Sequence, residues 1–250
     1  MAGLSRRFSE AGYALPKYML PLGGRTVFEH AVASFSAYFA DTPFLFVARA
    51  GQGASDFVRG ACAAMDVADA RVVELDHATR GQAETVALGL RAQGDPPPEG
   101  LTIFNIDTFR PGFRHPPNVG DIDGYLEVFR GTGANWSYVR PRGPDDDRVM
   151  ETTEKRPVSD LCCTGLYHFA SAQRFLRAFE AYAASPPADL PGGELYVAPL
   201  YNRLIAEGCD IRWTLVDRSQ VQFCGTPAEY EALAAGYTSA RPRARGPQIL

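Results

Sequence analysis

The stretch Phe44-Leu45-Phe46-Val47 is a continuous apolar run of strand length, and it begins the alternation of strands and helices that decides the fold. A helix is predicted over residues 54–65, and a strand over residues 71–75 follows it. A further helix is predicted through residues 79–90, before a buried strand at residues 101–106. This alternation predicts a parallel sheet with helices on both faces, which binds ligands beyond the carboxyl ends of its strands.

The pattern changes after residue 134, where three segments look like strands with little helix between them. These segments are Trp136–Val139, Val149–Glu154 and Leu161–Phe169, and they predict a mixed-sheet extension. The remaining predicted elements are a helix from Gly23-Gly24 to about residue 40, helices at 172–184 and 194–207, strands at 211–216 and 219–223, and a last helix from Pro227.

The predicted architecture is therefore α/β, with three α/β/α layers, a mostly parallel Rossmann-like central sheet and a small mixed-sheet extension. We expect one domain over residues 1–237, with halves at 1–133 and 134–237. A flexible tail is expected over residues 238–250, which are rich in Arg and Pro.

Composition excludes several classes of protein. The 250 residues carry 25 basic and 29 acidic side chains, so the net charge is -4 and duplex nucleic acid is not an expected partner. Apolar runs fall far short of the roughly 20 residues that span a bilayer, so no membrane partner is expected. The first residues lack the apolar core of a secretory signal, which predicts a cytoplasmic protein. The five cysteines show no metal-binding or disulfide pattern.

Lysine is rare in this chain. Of the 25 basic residues, only Lys17 and Lys155 are lysines and the rest are arginines. In such a background a retained lysine marks a place where a compact point charge suits the chemistry better than a planar guanidinium. The alternative is chance survival of two surface lysines.

The opening segment, residues 2–8, has the parts of a triphosphate site when it is combined with Pro16-Lys17. Glycine lets backbone N–H groups approach an anion, Arg7 can hold phosphate oxygens in a bidentate manner, and Lys17 adds a point charge. Neither G-x-x-x-x-G-K-[ST] nor G-x-G-x-x-G is present, so a Walker-type ATPase and a dinucleotide-binding oxidoreductase are not supported. A loop of this kind should follow a strand, and we expect that strand to lie upstream of the numbered Met1; the alternative is a sheet that lacks it.

Taken together, the ordered motifs resemble the nucleotidyltransferases with a nucleotide-diphospho-sugar transferase fold, which include sugar-1-phosphate and phosphocholine-type pyrophosphorylases. The resemblance covers nearly the whole chain and is nearest to bacterial enzymes of capsule and surface-polysaccharide precursors. The motifs that carry it are Ala2–Phe8, Pro16-Lys17, Leu20–Gly23, Thr79–Ala83, Asn105-Ile106-Asp107, Glu154–Pro157, Thr164–Tyr167 and Gly225-Thr226-Pro227.

The resemblance implies a magnesium-dependent transfer of a nucleoside monophosphate from an NTP to a small phosphorylated acceptor, with release of pyrophosphate. The implied catalytic residues are Arg7, Lys17, Asp107 and Lys155, with Asp107 also the Mg²⁺ ligand. The implied nucleotide-binding residues are Ala2, Gly3, Leu4, Gly81 and Gln82, with Gln82 reading the base edge. The implied acceptor-binding residues are Glu154 and Gly165, and Glu194 is a further candidate for lining the acceptor pocket.

Several of these residues could instead have structural or surface roles that involve no substrate. Arg7 could be solvated, Asp107 could cap the turn after its strand, and Glu154-Lys155 could be an exposed ion pair. The chain also departs from the family pattern at Phe223, where many members have a second metal-binding Asp. Either Asp107 holds the metal with waters and phosphates, or another carboxylate such as Asp217 substitutes, or the acceptor chemistry differs.

Two other functions stay open at this point. A glycosyltransferase on a related fold would need a D-x-D-like metal motif, whereas this chain has Asn105-Ile106-Asp107. A non-catalytic nucleotide- or sugar-binding module is compatible with the loss of a metal ligand at Phe223. The products distinguish these functions, because among the three only the nucleotidyltransferase would release pyrophosphate from an NTP.

Overall fold

The computed structural model describes residues 1, 6–51, 53–94, 97–186, 188 and 190–239. The α-helices are α1 (Arg6–Glu10), α2 (Val27–Ala33), α3 (Ala54–Ala64), α4 (Gln82–Ala92), α5 (Ala172–Ala183), α6 (Leu200–Ala206) and α7 (Pro227–Ser239). The strands are β1 (Pro21–Leu22), β2 (Arg25–Thr26), β3 (Phe44–Arg49), β4 (Ala70–Leu75), β5 (Leu101–Ile103), β6 (Thr108–Phe109), β7 (Gly124–Arg130), β8 (Ser137–Gly143), β9 (Asp146–Glu154), β10 (Leu161–Phe169), β11 (Ile211–Leu215) and β12 (Gln222–Phe223).

The largest sheet of the described residues has six strands in the order β5-β10-β7-β11-β9-β8. β7 and β11 are parallel, whereas β10 is antiparallel to β5 and β7, and β9 is antiparallel to β11 and β8. It follows that β5, β7, β8 and β11 run in one direction, and β9 and β10 run in the other. The mixture of parallel and antiparallel strands was predicted only for an extension after residue 134. It is therefore found in the main sheet as well. Part of the reason is that two residues join β8 to β9, and so short a connection joins only antiparallel strands.

The first predicted strand-helix-strand unit is confirmed. β3 pairs in parallel with β4 from Phe44↔Ala70 to Arg49↔Leu75, and α3 connects them. The helix buries Val58 and Cys62 in a cluster that also contains Phe28 and Phe46 of neighbouring elements. Within the described residues β3 pairs only with β4, and β5 only with β10. The expected strand before the glycine loop stays a prediction.

The main core lies between the six-stranded sheet and the helices α4, α5 and α6. All nine residues of β10 are buried, since the strand has a partner on each side. Tyr201 of α6 is fully buried, and its hydroxyl donates to the carbonyl of His168 on β10 at 2.8 Å. Ala83 near the start of α4 and Ile103 at the carboxyl end of β5 are both buried in this same core.

Several predicted elements are shorter in the structure, and one strand was missed. The helix expected to reach residue 40 ends at Ala33, and the strand expected to reach residue 106 ends at Ile103. The helix expected from residue 194 begins at Leu200, and a 3₁₀ turn replaces the beginning of the strand expected at 219. β7 was missed because Glu127 interrupts its apolar run. Inside the fold Glu127 pairs with Arg110 at 3.0 Å.

The last helix begins at Pro227 as predicted and continues to Ser239. Residues 240–250, which make up most of the expected flexible tail, lie outside the described residues. In the part of the chain that is described, no helix has both the length and the apolar character needed to cross a bilayer.

Candidate functional site

Lys17 and Asp107 meet although 90 residues separate them in the sequence. Asp107 follows the carboxyl end of β5, and Lys17 begins a short 3₁₀ helix, Lys17–Met19, that Pro16 precedes. The Nζ of Lys17 donates to Oδ2 of Asp107. Their side chains are 15% and 23% exposed, so water reaches this ion pair less than it reaches a surface pair. The predicted neighbourhood of the lysine and the strand-end carboxylate is therefore present.

A late segment of the chain holds the backbone of Asp107. The N–H of Cys224 donates to the carbonyl of Asp107 at 2.8 Å, and β12 pairs with β6 through Phe223↔Thr108. This pairing brings Gly225-Thr226, which the sequence singled out, alongside the lysine–aspartate pair.

Arg7 lies on α1, next to a residue that anchors this short helix. Phe8 is buried, and its ring centre is 5.7 Å from the Nζ of Lys17. The Arg7 side chain is exposed, and within the described residues it forms no side-chain hydrogen bond or ion pair. The structure therefore leaves the Arg7 guanidinium facing solvent on the same short helix as Phe8, which contacts Lys17. The loop residues predicted to contact the nucleotide, Ala2, Gly3 and Leu4, lie outside the described residues.

Another carboxylate, Glu229, lies close to Asp107, and sequence reasoning missed it. A Cβ built on Gly225 would be 3.5 Å from Oδ2 of Asp107 and 3.6 Å from Oε2 of Glu229. Glu229 accepts hydrogen bonds from the N–H groups of Gly225 and Thr226, both at 2.9 Å. The signal in the sequence was Thr226-x-x-Glu229, which has the spacing of a capping box.

Asp217, the substitute ligand considered from the sequence, has a different role. Its carboxylate caps a 3₁₀ turn by accepting from the N–H of Ser219 at 2.8 Å and from the Ser219 hydroxyl at 2.5 Å. Within the described residues, no group of three or more His, Cys, Asp or Glu side chains is arranged to hold a metal ion. Among the described residues, Asp107 is therefore the one predicted metal ligand at this place, and it is not part of a preformed cluster of carboxylate, His or Cys ligands.

Gly81 allows the loop before α4 to approach a second backbone segment. Its φ is +149°, and a Cβ at this position would be 2.5 Å from the carbonyl oxygen of Leu195. Two backbone hydrogen bonds fix the approach, from Leu195 N to Arg80 O at 2.8 Å and from Ala83 N to Leu195 O at 3.0 Å. The loop at 79–82 and the segment that begins at Glu194 are therefore joined directly.

Gln82, the first residue of α4, contacts a residue that sequence reasoning did not place in the site. Its Nε2 donates to Oδ1 of Asn105 at 2.6 Å. Asn105 in turn lies against Gly165, where φ is +95° and a Cβ would be 2.8 Å from Cγ of Asn105. The space beside Gly165, which was expected to admit an acceptor, is therefore filled by the Asn105 side chain.

Glu154 and Lys155 lie at the end of β9, beside Tyr196. Ser137 donates to Oε2 of Glu154, and burial raises the pKa of this carboxyl while that hydrogen bond opposes the shift. Lys155 is exposed and has a φ of +56°. Its Nζ donates to the Tyr196 hydroxyl at 2.6 Å and lies 4.8 Å from the ring centre. We refer to Glu154, Lys155, Glu194 and Tyr196 as the Tyr196 cluster.

Glu194 belongs to this cluster through its effect on the tyrosine. Burial raises the pKa of Tyr196, and a hydrogen bond to Glu194 and the charge of that carboxylate raise it further. The charge of Glu194 also raises the pKa of Glu154. The predicted residues Glu154, Lys155 and Glu194 are therefore brought together. Tyr196, which joins them, was predicted only as part of the helix at 194–207.

An aromatic pair links the Tyr196 cluster to the lysine–aspartate pair. The N–H of Lys155 donates to the carbonyl of Trp136 at 2.9 Å, and the Trp136 ring lies 4.7 Å from that of Phe223. Phe223 is paired with Thr108, the residue after Asp107. The guanidinium of Arg218 also lies 4.8 Å from the Phe223 ring centre. At position 223, where the resemblance implied a second metal-binding carboxylate, this chain has an apolar ring in an aromatic cluster.

This arrangement provides groups suited to a polyphosphate and to a second polar molecule. One lysine is placed beside a strand-end carboxylate, a carboxamide lies at a helix start, and another lysine lies among carboxylates and a tyrosine. Cations of this kind bind phosphate oxygens, while carboxylates and amides bind hydroxyl and amino groups.

Comparison with known proteins supports a nucleotide-related role. Residues 1–111 match the family model of the MobA-like NTP transferase domain. Comparison with curated proteins gave no match.

Solved structures are similar over nearly the whole chain. A nucleoside-diphosphate-sugar pyrophosphorylase from Vibrio cholerae RC9 is 49% identical, with 94% of this chain and 98% of that chain covered and a TM-score of 0.91. An inositol-1-phosphate CTP transferase from T. maritima is 14% identical, with 96% and 94% covered and a TM-score of 0.71. A UTP-bound UGPase from Acinetobacter baumannii is 14% identical, with 96% and 92% covered and a TM-score of 0.67. The last two similarities show the fold alone, and they agree with the predicted α/β class.

Proposed function

Because this chain belongs to the nucleotidyltransferases with a nucleotide-diphospho-sugar transferase fold, we propose that it transfers a nucleoside monophosphate from an NTP to a sugar phosphate. Pyrophosphate is the second product. The observation that carries the proposal is the contact of Lys17 with Asp107 at the end of β5, with the Tyr196 cluster beyond Trp136 and Phe223. In this proposal Arg7, Lys17, Gln82, Asn105 and Asp107 form the nucleotide side, and the Tyr196 cluster forms the acceptor side.

The reaction is an in-line displacement at the α-phosphorus. An oxygen of the acceptor phosphate forms a bond to the α-phosphorus, and the bond from that phosphorus to the bridging oxygen of the β-phosphate breaks. Lys17 and Arg7 hold the triphosphate, while Lys155 holds the acceptor phosphate. Positioning and neutralisation of charge supply most of the catalysis of phosphoryl transfer, so no protein base is required.

The residues present are compatible with a magnesium ion at Asp107. Within the described residues the second carboxylate oxygen of Asp107 has no hydrogen-bond partner, and it is a hard donor of the type that Mg²⁺ prefers. Magnesium retains several waters and is often bound by one or two carboxylates with substrate phosphates, so a single ligand at this position suffices. When bound, the ion would neutralise charge on the phosphates. Lys17 shares the same carboxylate and keeps it oriented.

We propose a sugar 1-phosphate as the acceptor and precursors of surface or capsular polysaccharide as the products. The name of the Vibrio cholerae relative supports a nucleoside-diphosphate sugar as the product class. The carboxylates of Glu154 and Glu194 provide acceptors for the hydroxyl groups of a sugar. Such a reaction would take place in the cytoplasm, where NTPs are available.

A matrix of NTPs against phosphorylated acceptors, with pyrophosphate release as the readout, tests the proposal. We expect magnesium-dependent release with at least one NTP, and only when an acceptor phosphate is present. The same sugar without its phosphate is the matched control, because it lacks the attacking oxygen. Release of a nucleoside diphosphate from a nucleotide sugar, with no pyrophosphate from any NTP, would contradict the proposal and indicate a glycosyltransferase. Binding of NTPs without any turnover would indicate a binding module.

A further inference from the structure

In the contact between Gln82 and Asn105, one carboxamide donates a hydrogen bond and the other accepts it. The Nε2 of Gln82 donates to Oδ1 of Asn105 at 2.6 Å. In the described part of the chain, no donor reaches the carboxamide oxygen of Gln82. A carboxamide that donates inward in this way presents its oxygen as an acceptor. Without Asn105 the same group could rotate about its terminal torsion, which has a broad energy profile.

The position of Asn105 is set by three parts of the fold that meet at its side chain. Asn105 lies just after β5, Gln82 begins α4, and Gly165 lies where the register of β10 against β7 shifts between Cys163 and Tyr167. At φ +95°, Gly165 leaves space that a Cβ would take from the Asn105 amide. The glycine and the register shift therefore make room for the side chain of Asn105.

The start of α4 is also fixed independently of Asn105. The backbone bonds between Arg80, Leu195 and Ala83 hold the loop that precedes Gln82. The main freedom left to Gln82 is that of its side chain. Asn105 restricts this freedom through the hydrogen bond that its Oδ1 accepts from Nε2 of Gln82.

We propose that Asn105 is the positioning residue that sets base selection, because it holds the Gln82 carboxamide with its oxygen directed at a hydrogen-bond donor on the nucleobase of the NTP. The inference rests on the proposed function and on the role that the resemblance implies for Gln82, which is to read the base edge. Asn105 itself acts through Gln82 and need not touch the nucleotide. Base discrimination therefore depends on a pair of residues rather than on one glutamine.

The experiment measures kcat/KM for the best and the worst NTP, by pyrophosphate release, in the wild type and in Asn105→Ala, Gln82→Ala and the double variant. A single polar contact to a base discriminates at the low end of the range known for bidentate contacts, so we expect Asn105→Ala to reduce the ratio of the two values about tenfold. The double variant should lose no more discrimination than Gln82→Ala alone, since both changes remove the same contact. Asn105→Asp should retain most of the ratio, because a carboxylate oxygen still accepts from Nε2 of Gln82.

Asn202 provides a matched control. Its carboxamide also forms two hydrogen bonds, both at 2.8 Å, but both are to the backbone of Thr152, away from Gln82. Asn202→Ala should lower the melting temperature and leave the ratio between NTPs unchanged. If Asn105→Ala does not fold, Asn105→Ser carries the same prediction, since its hydroxyl is too short to reach Gln82.

The outcomes separate this inference from the proposed function. An unchanged ratio in a folded Asn105→Ala variant, or additive losses in the double variant, would overturn the role of Asn105 while pyrophosphate release continues. Absence of pyrophosphate release from the wild type with every NTP and acceptor would contradict the proposed function itself.

Discussion

The nucleotide side and the acceptor side of the proposed site hold their polar groups in different ways. On the nucleotide side, Lys17 with Asp107 and Gln82 with Asn105 form pairs between elements distant in the sequence, and both pairs are partly shielded from water. On the acceptor side Lys155 is exposed, and its side chain is held by Tyr196. The difference indicates that the two shielded pairs of the nucleotide side are preorganised, whereas Lys155 on the acceptor side can adjust to its ligand. Substitutions should therefore cost more on the first side than on the second.

The largest effect is expected from Lys17→Met. This change removes the charge beside the triphosphate and leaves Asp107 without its partner, so turnover should fall by roughly 10²-fold or more. Steady-state measurement of pyrophosphate release checks this. Arg203→Met is the matched control, because it removes an exposed pair with Glu207 at 2.6 Å that lies outside the proposed site. Wild-type turnover in Lys17→Met would contradict the expectation that substitutions cost more on the nucleotide side.

A smaller effect is expected from Lys155→Met on the acceptor side. Loss of its charge should raise the KM for the acceptor by about tenfold and change the KM for the NTP little, since one charged hydrogen bond contributes about 1.5–3 kcal/mol. Tyr196→Phe should give a weaker effect in the same direction, because the ring that contacts Nζ stays in place. Arg156→Met, which changes the next residue and its pair with Glu151, is the control. An equal rise in both KM values would show that the two sides are not separate.

Gly81→Ala tests the junction between the loop at 79–82 and Leu195. The added Cβ would overlap the carbonyl of Leu195, so the free energy of unfolding should fall by about 2 kcal/mol or more. Gly112→Ala is the control, because this glycine also has a positive φ of +71° but nothing lies within 4 Å of its Cβ position. Denaturant unfolding measures both variants. Equal losses would mean that the backbone angle alone accounts for the effect.

The smallest effect expected is a pH dependence that belongs to the acceptor side. Burial raises the pKa of Glu154, so as the pH falls this carboxyl becomes protonated earlier than an ordinary glutamate. The neutral form is a weaker acceptor for hydroxyl groups, so the KM for the acceptor should rise by a few-fold as the pH falls through this pKa. The measurement is the KM for the acceptor against pH in the wild type and in Glu154→Gln, where the dependence should disappear. A pH dependence that persists in Glu154→Gln would assign it to another group.

The sequence predicted those parts of the fold and the site that depend on local signals. The run Phe44–Val47 and the helix after it were predicted closely, and Asp107 lies near the end of its strand with Lys17 beside it. The family resemblance is confirmed by the 49% identical relative. The roles of the individual site residues stay predictions.

Residues whose significance arises only in three dimensions were not predicted. Asn105 and Tyr196 gain their roles from partners on other elements; Asn105 belonged to a quoted motif, but nothing in the sequence pointed to its contact with Gln82. Gly165 was assigned to the acceptor, whereas its lack of a Cβ makes room for Asn105. β7 was missed because the pairing of Glu127 with Arg110 inside the fold is not visible as an apolar pattern.

The central claim is that Asp107 and the cations around it act on a polyphosphate. The most direct test compares pyrophosphate release by the wild type and by Asp107→Asn, with magnesium, an NTP and a sugar 1-phosphate, after both proteins are shown to have similar melting temperatures. We predict steady release by the wild type and a rate lower by at least about 10²-fold in the variant. Equal rates for the two proteins would contradict the account.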